Sequence, residues 1–171
     1  MFSLRRLVYR EVFNARMLSV SSSNRWNLHG KNIIVTGGSK GIGYEITSEL
    51  CSLGAKVLTC SRNIDELKIC EKEWKEKGFD VHICAVDVAN VDGQKALEKE
   101  SRRIFGNRLD CLVNNVGTNI RKKFVEYSPQ EIANILNTNL ISSVAICQAM
   151  YPLLKESRNG SIVNLGSVAG M

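Results

Sequence analysis

The chain has 171 residues, 44% hydrophobic and 23% charged, one domain's worth of ordinary globular composition with enough apolar mass for a core. Its formal net charge of +6 is held unevenly, because residues 1–25 carry five arginines against one glutamate and the remainder is close to balance. That remainder shows no basic stripe or aromatic platform for nucleic acid, and no apolar run approaches the ~18 residues of a membrane span.

From Met1 to about Ser23 the sequence is rich in Arg and Ser and has a single acid, Glu11. On a helical wheel Leu4, Leu7, Val8 and Val12 share a side largely opposite Arg5, Arg6, Arg10 and Arg16, although Phe2 and Phe13 drift to the basic one. This composition predicts an organelle transit peptide. Arg16-Met17-Leu18 before Ser19 resembles a mitochondrial processing site, so the expected location is mitochondrial; the alternative is a disordered leader on a cytoplasmic protein. Residues 1–25 are therefore set apart from a domain over 26–171.

Beyond the leader, apolar β-branched runs predict strands near 32–36, 56–60, 80–86, 109–114 and 161–165. Between them, helices are expected near 41–53, 63–77, 91–105 and 129–155. Gly54, Gly78 and Gly106 stand where helix C-caps belong, and Ser128-Pro129-Gln130-Glu131 reads as an N-cap followed by a first-turn proline. The alternation argues for an α/β fold, a parallel sheet covered on both faces. Right-handed crossovers then gather the loops after the strands along one crevice. Six cysteines form no C-x-x-C pair, and Cys60, Cys84 and Cys111 fall within strands, as small buried hydrophobes do. His29 and His82 have no partner at metal-ligand spacing, so no metal is expected.

The most informative stretch is Val35-Thr36-Gly37-Gly38-Ser39-Lys40-Gly41-Ile42-Gly43, a glycine-rich turn between the first strand and first helix. Such a turn brings backbone N–H groups and the positive helix end up to an anion, here a dinucleotide pyrophosphate. A P-loop would need Lys and Ser or Thr directly after its last glycine, whereas Tyr44 and Glu45 follow Gly43, so an ATPase reading fails. The turn assigns Thr36, Gly37, Ser39, Lys40, Gly41, Ile42 and Gly43 to cofactor binding.

Three further motifs follow in order: Asn114-Asn115-Val116-Gly117, Asn139 within Asn137-Thr138-Asn139-Leu140, and Gly166-Ser167-Val168-Ala169-Gly170. Together they resemble the short-chain dehydrogenase/reductase family from about Trp26 to Met171. Within it, Trp26-x-Leu28-x-Gly30-Lys31, Thr59-Cys60-Ser61-Arg62-Asn63 and Gly117-Thr118-Asn119-Ile120-Arg121-Lys122 resemble the tropinone-reductase-like subgroup. Val116 departs from the family's usual alanine and should tighten the wall beside the cofactor. The resemblance implies a Rossmann-like doubly wound sheet, C-terminally incomplete, and an enzyme acting on a small-molecule ketone or secondary alcohol.

It also implies roles. Ser167 would hydrogen-bond the substrate carbonyl, and Asn139 would hold a water in a proton relay. Asn114 would stabilise the sheet, while Asn115 and Gly117 would face the adenine ribose and Asp87 and Val88 lie under the adenine. Asp87 could equally be a helix N-cap. At the position where NAD sites place an acid, this chain has Ser61-Arg62, with Lys40 in the turn, and two cations suit the 2′-phosphate of NADP. The family's Tyr-x-x-x-Lys pair would follow Ser167 beyond Met171. Tyr151 and Lys155 match its spacing by letter but precede Ser167, at the end of the preceding helix, so the chain as given is expected to be inactive. Other readings are a mitochondrial 3-oxoacyl-carrier-protein reductase and a truncated, non-catalytic nucleotide-binding fragment. In a full-length form the 129–155 helix would pair in a homo-oligomer.

Overall fold

The computed structural model describes residues 26–167; the leader and residues 168–171 lie outside them. Five parallel strands form one sheet: β1 (Asn32–Thr36), β2 (Lys56–Ser61), β3 (Val81–Ala85), β4 (Cys111–Asn114) and β5 (Ser161–Asn164). Their order is β3-β2-β1-β4-β5, so the winding reverses between β1 and β4, where open α/β sheets form their binding crevice. The helices are α1 (Gly41–Ser52), α2 (Ile64–Glu76), α3 (Val91–Phe105), α4 (Pro129–Leu136) and α5 (Ser142–Glu156). None of the described helices is long and apolar enough to cross a membrane.

β1, β2 and β4 carry apolar side chains on both faces because helices cover both faces there, whereas β5 is exposed along its length. Ile34, Leu58 and Leu112 pack against Leu97 and Phe105 of α3 and Ile146, Met150 and Leu153 of α5. On the other face Ile33, Val35, Val57 and Val113 meet Cys51 of α1 and Cys70 and Trp74 of α2. Neighbouring residues of one strand thus enter different cores, as a two-residue period requires. Trp74 is fully buried; its indole donates to the Ser48 hydroxyl at 2.8 Å and its rings stack on Tyr44 with centroids 5.0 Å apart. Gly54, Gly78 and Gly106 do close their helices, at φ of 91°, 78° and 68°.

One expectation needs correction. The segment read as a single helix over 129–155 is interrupted by a π turn, Asn137–Ile141, between α4 and α5. The cause lies in bonds made outside the helix. Asn137 Nδ2 donates to the Ala89 carbonyl at 2.8 Å, and the Asn139 amide exchanges two hydrogen bonds with Thr118. Such polar competition, together with the Ser142 hydroxyl on the Thr138 carbonyl, accounts for the widened turn. A short 3-10 turn, Phe124–Glu126, lies in the loop after β4, outside the elements expected from sequence.

At the amino ends of the strands, opposite the crevice, Asp110 ties the sheet together. Its carboxylate accepts from the Asn32 N–H at 2.9 Å and the Ser157 hydroxyl at 2.9 Å, with Arg108 at 3.3 Å and Lys31 at 3.6 Å. Burial pushes its carboxyl up, but these donors and cations outweigh burial and hold it below the usual carboxylate value.

Candidate functional site

Thr36 ends β1 and is buried, so it does not face the crevice. Its hydroxyl donates to the Val113 carbonyl at 3.4 Å and accepts from the N–H groups of Asn115 at 3.0 Å and Val116 at 3.2 Å. It bolts the loop after β4 to the start of the glycine turn. Gly37 then adopts φ 76°, and the Gly37 and Gly38 N–H groups both reach the Cys60 carbonyl. The turn is packed to the backbone. A Cβ on Gly38 would sit 1.9 Å from the Thr59 hydroxyl oxygen, and one on Gly43 would sit 2.2 Å from the Gly37 carbonyl oxygen. Gly41 has open space, but its φ of 57° favours glycine.

The turn delivers α1 with an N-terminus that no side chain caps and no acid in its first turn. By contrast, Asn63 caps α2, Asn90 caps α3 and Ser128 caps α4. Unsatisfied N–H groups at the positive end of a helix are what a phosphate requires. They open on a cleft of about 920 Å³ that runs along the carboxyl ends of β1, β2, β3 and β4. The backbone cradle and this space fit a dinucleotide.

Of the residues singled out from sequence, Gly37, Ser39, Lys40, Ile42, Gly43, Ser61, Arg62, Asp87, Val88, Asn115 and Gly117 line this cleft. Thr36, Gly41, Asn139 and Ser167 are not on its wall. Ser61 exchanges hydrogen bonds with the backbone of Asn63, and Asp87 accepts from the Ala89 N–H at 3.0 Å. Asp87 is therefore not the helix cap it could have been; Asn90 takes that place. The Asn115 amide is committed to the Thr36 and Gly37 carbonyls, at 2.9 and 3.2 Å, and so fixes the glycine turn. Asn114 donates to Asn164 at 2.9 Å, tying β4 to β5 as expected of a sheet-stabilising side chain. Val116 stands on the wall, and one of its methyls lies 3.1 Å from where a Gly37 Cβ would be.

Asn139 projects from the π turn onto the loop after β4. Its Oδ1 accepts from the Thr118 N–H at 2.7 Å and its Nδ2 donates to the Thr118 carbonyl at 2.9 Å. An amide has two donors and two lone pairs, so one of each remains for water. Ser167 follows β5 by three residues and is exposed. Tyr151 points to solvent from α5, and among the described residues no tyrosine lines the cleft. The described residues hold no cluster of three or more His, Cys, Asp or Glu suited to a metal. Burial pushes the Cys60 thiol up to about 12 and the Cys84 thiol to about 11, so both remain protonated and act as apolar filling.

Two cleft residues carry weight that the sequence reading missed. Glu66 accepts from the Ser39 hydroxyl at 3.0 Å and lies 3.8 Å from Lys40. Asn137 anchors the loop after β3 through the Ala89 carbonyl. Glu66 looks like a first-turn acid of α2, and only the fold shows that it faces the glycine turn.

Comparison with known proteins agrees with this geometry. The family model for short chain dehydrogenase matches residues 31–171. A tropinone reductase homolog of Arabidopsis thaliana is 46% identical over 152 residues, 89% of this chain and 58% of the relative. L-Sorbose reductase from Gluconobacter frateurii, solved with NADPH and L-sorbose, superposes with a TM-score of 0.81 at 28% identity, covering 85% of this chain and 56% of that one. A 7α-hydroxysteroid dehydrogenase solved with NADH and 7-oxo glycochenodeoxycholic acid gives 0.80 at 27% identity, over 85% and 56%. The chain spans about half the length of the curated relatives it matches.

Proposed function

This chain belongs to the short-chain dehydrogenase family, and from that premise we propose that it carries the NADPH-binding part of an oxidoreductase acting on a ketone or secondary alcohol. The observation that carries the reading is the uncapped N-terminus of α1, opening on a cleft whose polar end is lined by Lys40 and Arg62. The first-turn N–H groups of α1 hold the pyrophosphate, and the glycines admit it to the backbone. Arg62, with Lys40, takes the 2′-phosphate through charge-assisted hydrogen bonds. Val88 and Val116 supply apolar wall, and Asn115 keeps the turn in shape.

When bound, the nicotinamide supplies or accepts the hydride. Ser167 polarises the substrate carbonyl. Asn139 holds the loop after β4 and keeps one donor and one acceptor for a relay water. Neither supplies an acid at neutral pH, and no tyrosine lines the described cleft, so we assign this chain cofactor binding without turnover of its own. The sorbose reductase solved with NADPH supports the cofactor choice. The Arg-rich composition of residues 1–25 supports mitochondrial import. Exposed Leu136, Leu140, Val144 and Tyr151 along the 129–156 segment support pairing between copies.

Titration of the chain with NADPH and NADH tests the reading. Arg62→Ala is expected to weaken NADPH roughly 10- to 100-fold, the equivalent of about 1.5–3 kcal/mol for a charged hydrogen bond, and to leave NADH within about twofold. Unchanged NADPH affinity would remove Arg62 from the phosphate site. In the same samples, NADPH oxidation over a panel of ketones should stay at background; clear turnover would mean that the acid lies among residues assigned otherwise.

A further inference from the structure

We propose that Glu66 limits how strongly the cleft prefers a dinucleotide bearing a 2′-phosphate, by holding the two polar residues of the glycine turn in a carboxylate grip. The inference rests on the NADPH reading above and adds a specificity residue to it.

Glu66 stands in the first turn of α2, and its side chain, 40% exposed, lines the cleft beside Ser39, Lys40 and Arg62. One carboxylate oxygen accepts from the Ser39 hydroxyl at 3.0 Å, and the other lies 3.8 Å from the Lys40 ammonium. One helical turn further on, the Cys70 thiol donates to the Ser39 carbonyl at 3.2 Å. α2 thus grips the glycine turn from two successive turns of helix, and Glu66 is the charged member of that grip. Lys40 is otherwise 81% exposed on a long, flexible stem.

This arrangement treats the two cofactors differently. A 2′-phosphate brings a charge of about −1.5 to −2 into a space that already contains a carboxylate. Lys40 must leave Glu66 to meet it, and the carboxylate left behind repels the newcomer. A ribose 2′-hydroxyl brings no charge, and a nearby carboxylate can accept from it, the role that an acid plays in NAD sites. Glu66 therefore draws the two affinities together, even though Lys40 and Arg62 favour the phosphate.

The test uses the 171-residue chain and direct titration with NADPH and NADH, at low salt and at about 0.5 M salt, where exposed charge effects are screened. Glu66→Gln keeps an acceptor for Ser39 and removes the charge. It is expected to tighten NADPH about three- to tenfold and to leave NADH unchanged or weaker, with the gain shrinking at high salt. In a Lys40→Ala background the same substitution should gain less than about twofold, because the lysine it frees is gone. A merely structural Glu66 would shift both cofactors alike and leave their ratio unmoved. Glu66→Ala, which also releases Ser39, serves as the second variant: both affinities fall, yet the ratio should still move toward NADPH. A wild type that prefers NADPH, with a ratio untouched by either substitution, overturns the Glu66 assignment alone. A wild type that prefers NADH, with a ratio that moves toward NADPH on Glu66→Gln, overturns the NADPH reading and keeps the grip. Failure of the wild type to bind either cofactor overturns both.

Discussion

Asp110 shows how much one side chain can hold when it is buried among donors. Two hydrogen bonds and two cations converge on a carboxylate whose residue is only 6% exposed. Burial acts against its charge, yet its pKa is held below the ordinary value. A depressed carboxyl adds stability that is fully present above its unfolded value of about 3.9 and is lost as the pH falls through the folded one. Asp110→Asn is therefore expected to cost about 1.5–3 kcal/mol at pH 7, the range for hydrogen bonds to a charged group. In thermal melts at decreasing pH, the gap between wild type and variant should hold above about pH 4 and narrow progressively as the pH is lowered from there; a gap that does not narrow would mean that packing, and not charge, is what the substitution removes. In the sequence Asp110 is one polar position within a strand expected over 109–114. Its partners Asn32 and Ser157 are far away in the chain.

At the scale of elements, the glycine turn and the π turn divide the credit between local and tertiary causes. The turn was legible because glycine spacing between a strand and a helix is local information. Its reasons differ from glycine to glycine, however. Gly41 is required for its φ of 57° in open space, while Gly43 is required because its own turn folds back to within 2.2 Å of any Cβ. Gly41→Ala should cost about 1 kcal/mol and spare cofactor binding. Gly43→Ala should cost toward the upper end of about 1–3 kcal/mol and also abolish measurable NADPH binding, because the backbone around it must shift. Paired melts and titrations check this; equal effects from the two substitutions would refute the distinction. The π turn was invisible for the opposite reason. Asn137 and Asn139 bond to Ala89 and Thr118, at sequence separations of 48 and 21, and no helical period records that.

For the whole molecule, two apolar cores flank the sheet, and both are assembled from residues 28–154. Residues 1–25 are the Arg-rich segment that composition sets apart as a leader. Removing those residues is expected to leave the melting temperature and NADPH affinity unchanged, and the same segment fused to a reporter should carry it into mitochondria. A diffuse cytoplasmic reporter would defeat the targeting proposal, and a lowered melting temperature would show that the leader is part of the folded unit.

The sequence by itself determined the strand–helix alternation, the parallel sheet, the helix caps and the glycine turn, because each depends on residues within a few positions of one another. It also brought out Ser61 and Arg62, through their place at the end of β2. Tertiary structure alone decided that Thr36 is a buried bolt, that the Asn115 amide braces the turn, that Asn139 sits on a widened turn held by Thr118, and that Glu66 faces Lys40. Those assignments depend on which loops the β3-β2-β1-β4-β5 order brings together at one end of the sheet. A side chain's partner across such a crevice is set by the packing of whole elements, and one-dimensional spacing carries no trace of it.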